Sequence, residues 1–269
     1  MTAELSAAIA AARAQDWPRA LDLAAQAAGA GDAEAAAQLA VLTGEPESSD
    51  WRQLRPAIDV AALVAPPKLE RLSDAALIGV SRGFATPAMC AWIMRRAQSR
   101  LEPSMVNDSA TGALRQHPMR TAYVCGFGPT DIDLVLAVLQ TRAANLVRVP
   151  VVMHEAPNVI SYEPGQQFAM HVDFIDPTNP LFAPELETQG QRNVTLVTYL
   201  NEDFDDAPTQ FPALKLNVRG ATGDAIVWSN VLPDGSPDMN TVHAGMPPTR
   251  GRKWVLSQWL RNKPQPYNL

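Results

Sequence analysis

Cysteine is nearly absent from this 269-residue chain. There are two, Cys90 and Cys125, too few for a disulfide scaffold or a thiolate metal cage. Long apolar runs are missing too: stretches such as 60–64 and 149–153 fall far short of the ~20 residues that span a bilayer as a helix. No membrane partner is expected. Basic charge is also short, with 22 Lys and Arg against 28 Asp and Glu, a net of −6. That balance argues against binding nucleic acid or an anionic membrane, which need a basic footprint, but leaves room for a local pocket for a small anion. The first thirteen residues carry acid where a secretory leader carries base, so no leader is expected and a cytoplasmic protein is the reading. Histidine is scarce as well: His117, His154, His171 and His243 are the full set.

What is present suits one large domain with a small appendage. Hydrophobic residues make up 46% and charged residues 19%, enough to bury a sizeable core. Composition changes near residue 47. Before it the chain is alanine-rich, with Asp16 ahead of Trp17-Pro18 and Asp32 after Gly29-Ala30-Gly31, the signals that start and stop helices. Three short helices are predicted, resembling one or two tetratricopeptide-like units. About three repeats are needed for independent stability, so residues 1–47 read as a cap on the main domain rather than a recruiting array. A polar linker, 45–50, separates them from residues 48–269.

Helices are predicted at 86–99 and 131–146. From about residue 149 the texture becomes short β-type runs, at 158–162, 168–173, 194–201, 224–228 and 253–259, separated by Pro/Gly/Asp turns, the pattern of an antiparallel sandwich or barrel. The segment 177–191 beside them reads as a flexible lid.

One of these runs carries chemistry. In a strand, residues i and i+2 share a face, so His171 and Asp173 present an imidazole and a carboxylate together. His243 lies far downstream, and Lys253 follows it by ten residues. Two histidines and a carboxylate form the facial triad that leaves coordination positions open on Fe(II), as oxygen chemistry requires. His117 and His154 fit no ligand spacing and read as surface or structural residues.

The order of motifs resembles the Fe(II)/2-oxoglutarate-dependent dioxygenases, and among them the bacterial prolyl 4-hydroxylases. Tyr162, Gly165, His171, Asp173, Tyr199-Leu200-Asn201, Thr209-Gln210-Phe211-Pro212, Gly223-Asp224, His243 and Lys253-Trp254 appear in that family's sequence, over about residues 80–262. The resemblance implies an α+β protein with a double-stranded β-helix (jelly-roll) core at about 150–262, supporting helices and a small N-terminal helical unit. It implies His171, Asp173 and His243 as catalytic and metal-ligating residues, and Fe(II), 2-oxoglutarate and dioxygen as reactants, with ascorbate as reductant. Lys253 would pair with the C5 carboxylate of 2-oxoglutarate, since a buried unpaired charge is prohibitive. Tyr199 and Thr209 would donate to that carboxylate and Tyr162 would contact or flank the cosubstrate. Arg250 and Arg252 compete with Lys253 for the cationic role. The substrate implied is a prolyl residue of a peptide or protein. A free amino acid or small metabolite, or a non-catalytic interaction protein, are the alternatives, and the oligomeric state stays open. Ligating histidines must be neutral, so activity is expected to fall below about pH 6. Two departures stand out: Phe168 replaces the family's usual tyrosine, and Ala207-Pro208 replaces Gly-Gly before Thr209.

Overall fold

The computed structural model describes residues 2–45, 48, 50–107, 114–115 and 119–266. His117 and linker residues 46, 47 and 49 lie outside them. Helices occupy α1 (Ala3–Arg13), α2 (Trp17–Gly29), α3 (Ala33–Thr43), α4 (Trp51–Ala57), α5 (Val60–Val64), α6 (Pro87–Gln98), α7 (Leu134–Val147) and α8 (Ala183–Thr188). Caps set their starts. Asp16 accepts from Arg19 N ahead of α2, with Pro18 in the first turn, and Asp32 accepts from Glu34 N and Ala35 N ahead of α3. Asp133 caps α7 through Leu136 N, so that helix begins three residues later than its periodicity suggests. The same buried carboxylate receives Trp92 Nε1 at 2.6 Å and Arg96 Nη1 at 2.7 Å, which ties α6 to α7.

The three N-terminal helices join one continuous core with α6 and α7. Leu5, Leu21 and Leu39 share it with Met89, Val135 and Leu139. Gln38, 1% exposed, accepts from Leu134 N at 3.0 Å and so satisfies a free amide of α7's first turn. No helix among the described residues is long and apolar enough to cross a membrane.

The large sheet has eight strands in the order β1 (Leu69–Arg71), β2 (Ile78–Ser81), β13 (Ala225–Ser229), β9 (Arg192–Tyr199), β16 (Lys253–Arg261), β7 (Asn158–Tyr162), β6 (Tyr123–Gly126) and β3 (Glu102–Pro103). A second sheet has four, in the order β12 (Leu216–Val218), β11 (Thr209–Phe211), β14 (His243–Gly245) and β8 (Phe168–His171). Two ribbons remain, β4 (Val106–Asn107) with β5 (Leu114–Arg115), and β10 (Phe204–Asp206) with β15 (Pro248–Gly251). Every pairing is antiparallel.

Side-chain alternation along the central strands explains the layers. On β16, Leu256 and Leu260 point to the helical core, while Val255 joins Tyr162, Tyr199, Phe211 and Trp228 between the sheets. This is the jelly-roll core with supporting helices. The predicted strands recur, β7 with the same ends and the others with ends shifted by at most two residues. β8 differs most in consequence: it stops at His171, and Asp173 lies in the bend beyond it.

Candidate metal centre

The two histidines come from adjacent strands and face each other. His171 ends β8, His243 begins β14, and they are direct Cα partners across the ladder. Asp173 reaches the same point from the bend, so a turn rather than strand alternation brings the carboxylate in. Its Oδ1 lies 3.7 Å from His171 Nε2 and its Oδ2 lies 3.5 Å from His243 Nε2. One ligand atom from each of the three residues falls within a 4.8 Å cluster.

The tautomers follow from the backbone. His171 Nδ1 lies 2.7 Å from Ala169 O and His243 Nδ1 lies 2.9 Å from Thr241 O. A carbonyl only accepts, so both Nδ1 atoms carry the proton, and both Nε2 lone pairs face the shared space. Burial and the neighbouring His243 push His171 down to about 3, which keeps it neutral and able to ligate. Burial alone would raise the Asp173 carboxyl, but His243, His171 and the Thr195 hydroxyl outweigh it and hold it below the usual range. Thr195 Oγ1 donates to Asp173 Oδ2 at 2.7 Å and accepts from Asn230 Nδ2 at 2.9 Å. Phe168 stacks on His171 at 3.5 Å between centroids and 9° between planes, and Trp228 meets His243 edge-on at 4.7 Å. Two neutral imidazoles and one carboxylate, each oriented from behind, fit a divalent first-row metal with positions left open.

Lys253 opens β16 opposite Tyr162 and is 1% exposed. Its Nζ donates to Ala207 O at 2.8 Å, and the rings of Tyr162 and Tyr199 each lie 5.3 Å away. No acid among the described residues pairs with it, and burial pushes its ammonium down to about 7. Lys253, Val255, Ser257 and Trp259 line one cavity with the three metal-type residues. Alternation turns Arg252 the other way, to Ser161 Oγ at 2.6 Å and over the Trp254 ring. Arg250 is spent on Asp205 at 2.7 Å on the surface. Of the three competing cations, Lys253 alone enters the cavity.

A family model for the 2OG-Fe(II) oxygenase superfamily matches residues 157–261. Two curated plant relatives from Arabidopsis thaliana are similar over most of the chain. Probable prolyl 4-hydroxylase 3 is 27% identical over 202 residues, 67% of this chain and 68% of the relative. Prolyl 4-hydroxylase 1 is 28% identical over 212 residues, 73% and 72%. In its residues 157–261 the chain is a 2OG-Fe(II) oxygenase. It is a 2-oxoglutarate-dependent dioxygenase, and the superfamily's reactants are Fe(II), 2-oxoglutarate and dioxygen. Among solved structures, the viral collagen prolyl hydroxylase of Paramecium Bursaria Chlorella virus-1, in its 2OG complex, shares the fold. The TM-score is 0.53 at 23% identity, over 68% of this chain and 95% of that one.

The other expected residues of this oxygenase sit close to the cavity with altered bonding. Tyr199 Oη donates to Val218 O at 2.9 Å and lies 2.9 Å from Thr209 Oγ1, which therefore donates to it. Both hydroxyl protons are already placed, so donation to an incoming carboxylate requires Thr209 to turn. Burial raises Tyr199 to about 12, and Tyr162 is raised also. Tyr162 packs its hydroxyl against Gly245, where a Cβ would come within 3.0 Å. His154 is fully buried, bonded to Val149 O and Gln258 at 3.1 and 3.2 Å, a structural residue.

Thr195 and Asn230 escape sequence reasoning, because nothing local links them to Asp173. The signal is weak: a polar residue at an inward position of a hydrophobic strand. Groups that orient a metal ligand typically change metal affinity by about 10–100-fold when removed. Thr195→Val is expected to weaken Fe(II) binding by that factor, read by anaerobic titration, with an unchanged circular dichroism spectrum.

Proposed function

We propose that this oxygenase hydroxylates prolyl residues of a peptide or protein, using His171, Asp173 and His243 to hold Fe(II). One atom of dioxygen enters the substrate and the other enters succinate, formed from 2-oxoglutarate with release of CO2. Ascorbate serves as the reductant that keeps the iron ferrous. The observation that carries the reading is the pairing of three convergent metal-type ligands with a buried ammonium in the same cavity that lacks a counter-charge among the described residues. The two features together suit a dicarboxylate that reaches from metal to lysine. Relatives named as prolyl 4-hydroxylases support the choice of substrate.

The chain's own residues then have separable tasks. His171 and His243, fixed through Nδ1, direct Nε2 to the metal, and Asp173 offers an ionised oxygen without taking a proton from either. Lys253 neutralises the far carboxylate. Phe168, Trp228 and Val255 exclude water from the space between. The bound metal supplies oxygen activation, and the protein supplies geometry and dryness. We read α1–α3 as a cap, because they share the core of α6 and α7.

Poly(L-proline) tests the substrate. With Fe(II), 2-oxoglutarate and ascorbate, it is expected to stimulate succinate release and to gain oxygen by mass spectrometry. Equal succinate with and without the polymer, and no oxygenated product, would shift the substrate to a small metabolite.

A further inference from the structure

The segment after β8 is fastened from beneath by a charge network centred on one buried arginine. Arg261, 2% exposed, lies at the end of β16. Its Nε donates to Glu155 Oε1, its Nη2 to Glu185 Oε1 and its Nη1 to Gly190 O at 2.6 Å. Glu155 is shared: Arg192 binds it through Nε and Nη2 at 2.6 and 3.0 Å. The Arg192 guanidinium in turn lies 3.9 Å from the centroid of Trp259, and Trp259 lines the metal cavity. An unbroken path therefore runs from α8 through Glu185, Arg261, Glu155 and Arg192 to the cavity wall.

The rest of the segment is held by the chain just past Arg261. Lys263 Nζ donates to Glu187 O at 2.7 Å, and Gln265 Nε2 donates to Gln189 O at 3.0 Å, taking carbonyls at the end of α8. Gly190 has φ +77°, and a Cβ there would stand 2.2 Å from Asn262 Oδ1, so only glycine permits this approach. Gln191 closes the base, with its side chain on both Ile175 N and Ile175 O at 2.7 Å. The expected flexible lid is thus a seated one. Its front stays open to solvent, with Leu181 59% exposed.

A partly buried two-arginine, two-glutamate cluster adds little stability over apolar packing of equal volume. It does impose one geometry on everything it joins, and the planar arginine fork is what allows one side chain to hold two carboxylates. We infer that Arg261 is a positioning residue that seats α8 and orients Arg192 over Trp259 as one unit, so that the lid and the cavity wall present a peptide substrate together. This rests on the hydroxylase reading for its substrate and on geometry alone for its coupling. Lys253 makes no bond to this network, its Nζ donating to Ala207 O, so the link from Glu185 to Arg261 does not touch the far carboxylate of the cosubstrate.

Glu185→Gln isolates the link, because Glu185 is a third exposed on its side chain and its loss leaves the Glu155–Arg192 pair in place. In the Zn(II)-loaded protein, amide hydrogen exchange over residues 183–190 is expected to accelerate about tenfold, the scale of one charge-assisted bond at a partly exposed site. KM for poly(L-proline) should rise about 3- to 10-fold on the same reasoning, with kcat and the 2-oxoglutarate Kd unchanged. Arg261→Lys should move both readouts further the same way, and if it fails to fold, Glu185→Gln decides alone. Unchanged exchange in Glu185→Gln, or a fall in kcat at constant KM, would overturn the coupling. If wild-type protein turns over no proline polymer, the prolyl reading fails while the exchange measurement still decides the seating.

Discussion

Asp173→Ala is expected to abolish turnover and to weaken Fe(II) binding by at least about 100-fold, the upper range for groups that merely orient a ligand. The carboxylate is 5% exposed and is the single anion of the triad. Without it two neutral imidazoles must hold a dication in a dry site, and the charge is uncompensated. The Thr195 hydroxyl loses its acceptor at the same time. The fold should survive, because Asp173 sits in a bend outside the sheet ladders and removing a buried charge relieves desolvation. Far-ultraviolet circular dichroism and Tm should stay near wild type while anaerobic metal titration and succinate release collapse. Substantial turnover in a folded Asp173→Ala protein would remove Asp173 from the metal. Burial and the neighbouring His243 hold His171 neutral down to about pH 3, so its protonation is not what limits binding near pH 6.

Lys253→Met is expected to cost about 2–5 kcal/mol of 2-oxoglutarate affinity, the range for leaving a buried charge without its partner. Calorimetry on Zn(II)-loaded protein reads this without turnover. The wild-type pH dependence carries the same information. Burial holds the empty-site ammonium at about 7, and a bound carboxylate favours the charged form and raises it. Binding therefore takes up a proton whenever the empty site is neutral. Kd should be flat below about pH 7 and weaken by up to about tenfold per unit above it, a slope absent from Lys253→Met. Stability moves the other way. A lysine whose folded value lies below its unfolded value of 10.5 destabilises the fold as pH falls from there through about 7. Lys253→Met should consequently raise Tm at neutral pH while losing the ligand. A pH-independent wild-type Kd would remove Lys253 from the cosubstrate site.

Much of this was legible in the order of residues. Helix starts at Asp16, Asp32 and Thr86 are local events, a side-chain oxygen meeting nearby amides, and local events are written in sequence. Period-two alternation separates Lys253, Val255, Ser257 and Trp259 from Arg252 and Trp254, and so separates the buried cation from the surface ones. The spacing His171, Asp173, His243 and Lys253 carries the donor types of an iron site. The tertiary structure alone decided where protons and charges go. Asp173 reaches the centre through a bend rather than along its strand, since β8 ends at His171. Thr195 on β9 and Asn230 just past β13 orient it from positions far away in sequence. Thr209 spends its hydroxyl proton on Tyr199, and Tyr199 spends its own on Val218 O. The seating of α8 by Arg261 joins residues 155, 185, 192 and 261. Hydrogen-bond partners at such separations are set by sheet register and packing, which no short pattern encodes, whereas the ligand types themselves are chemistry each residue carries alone.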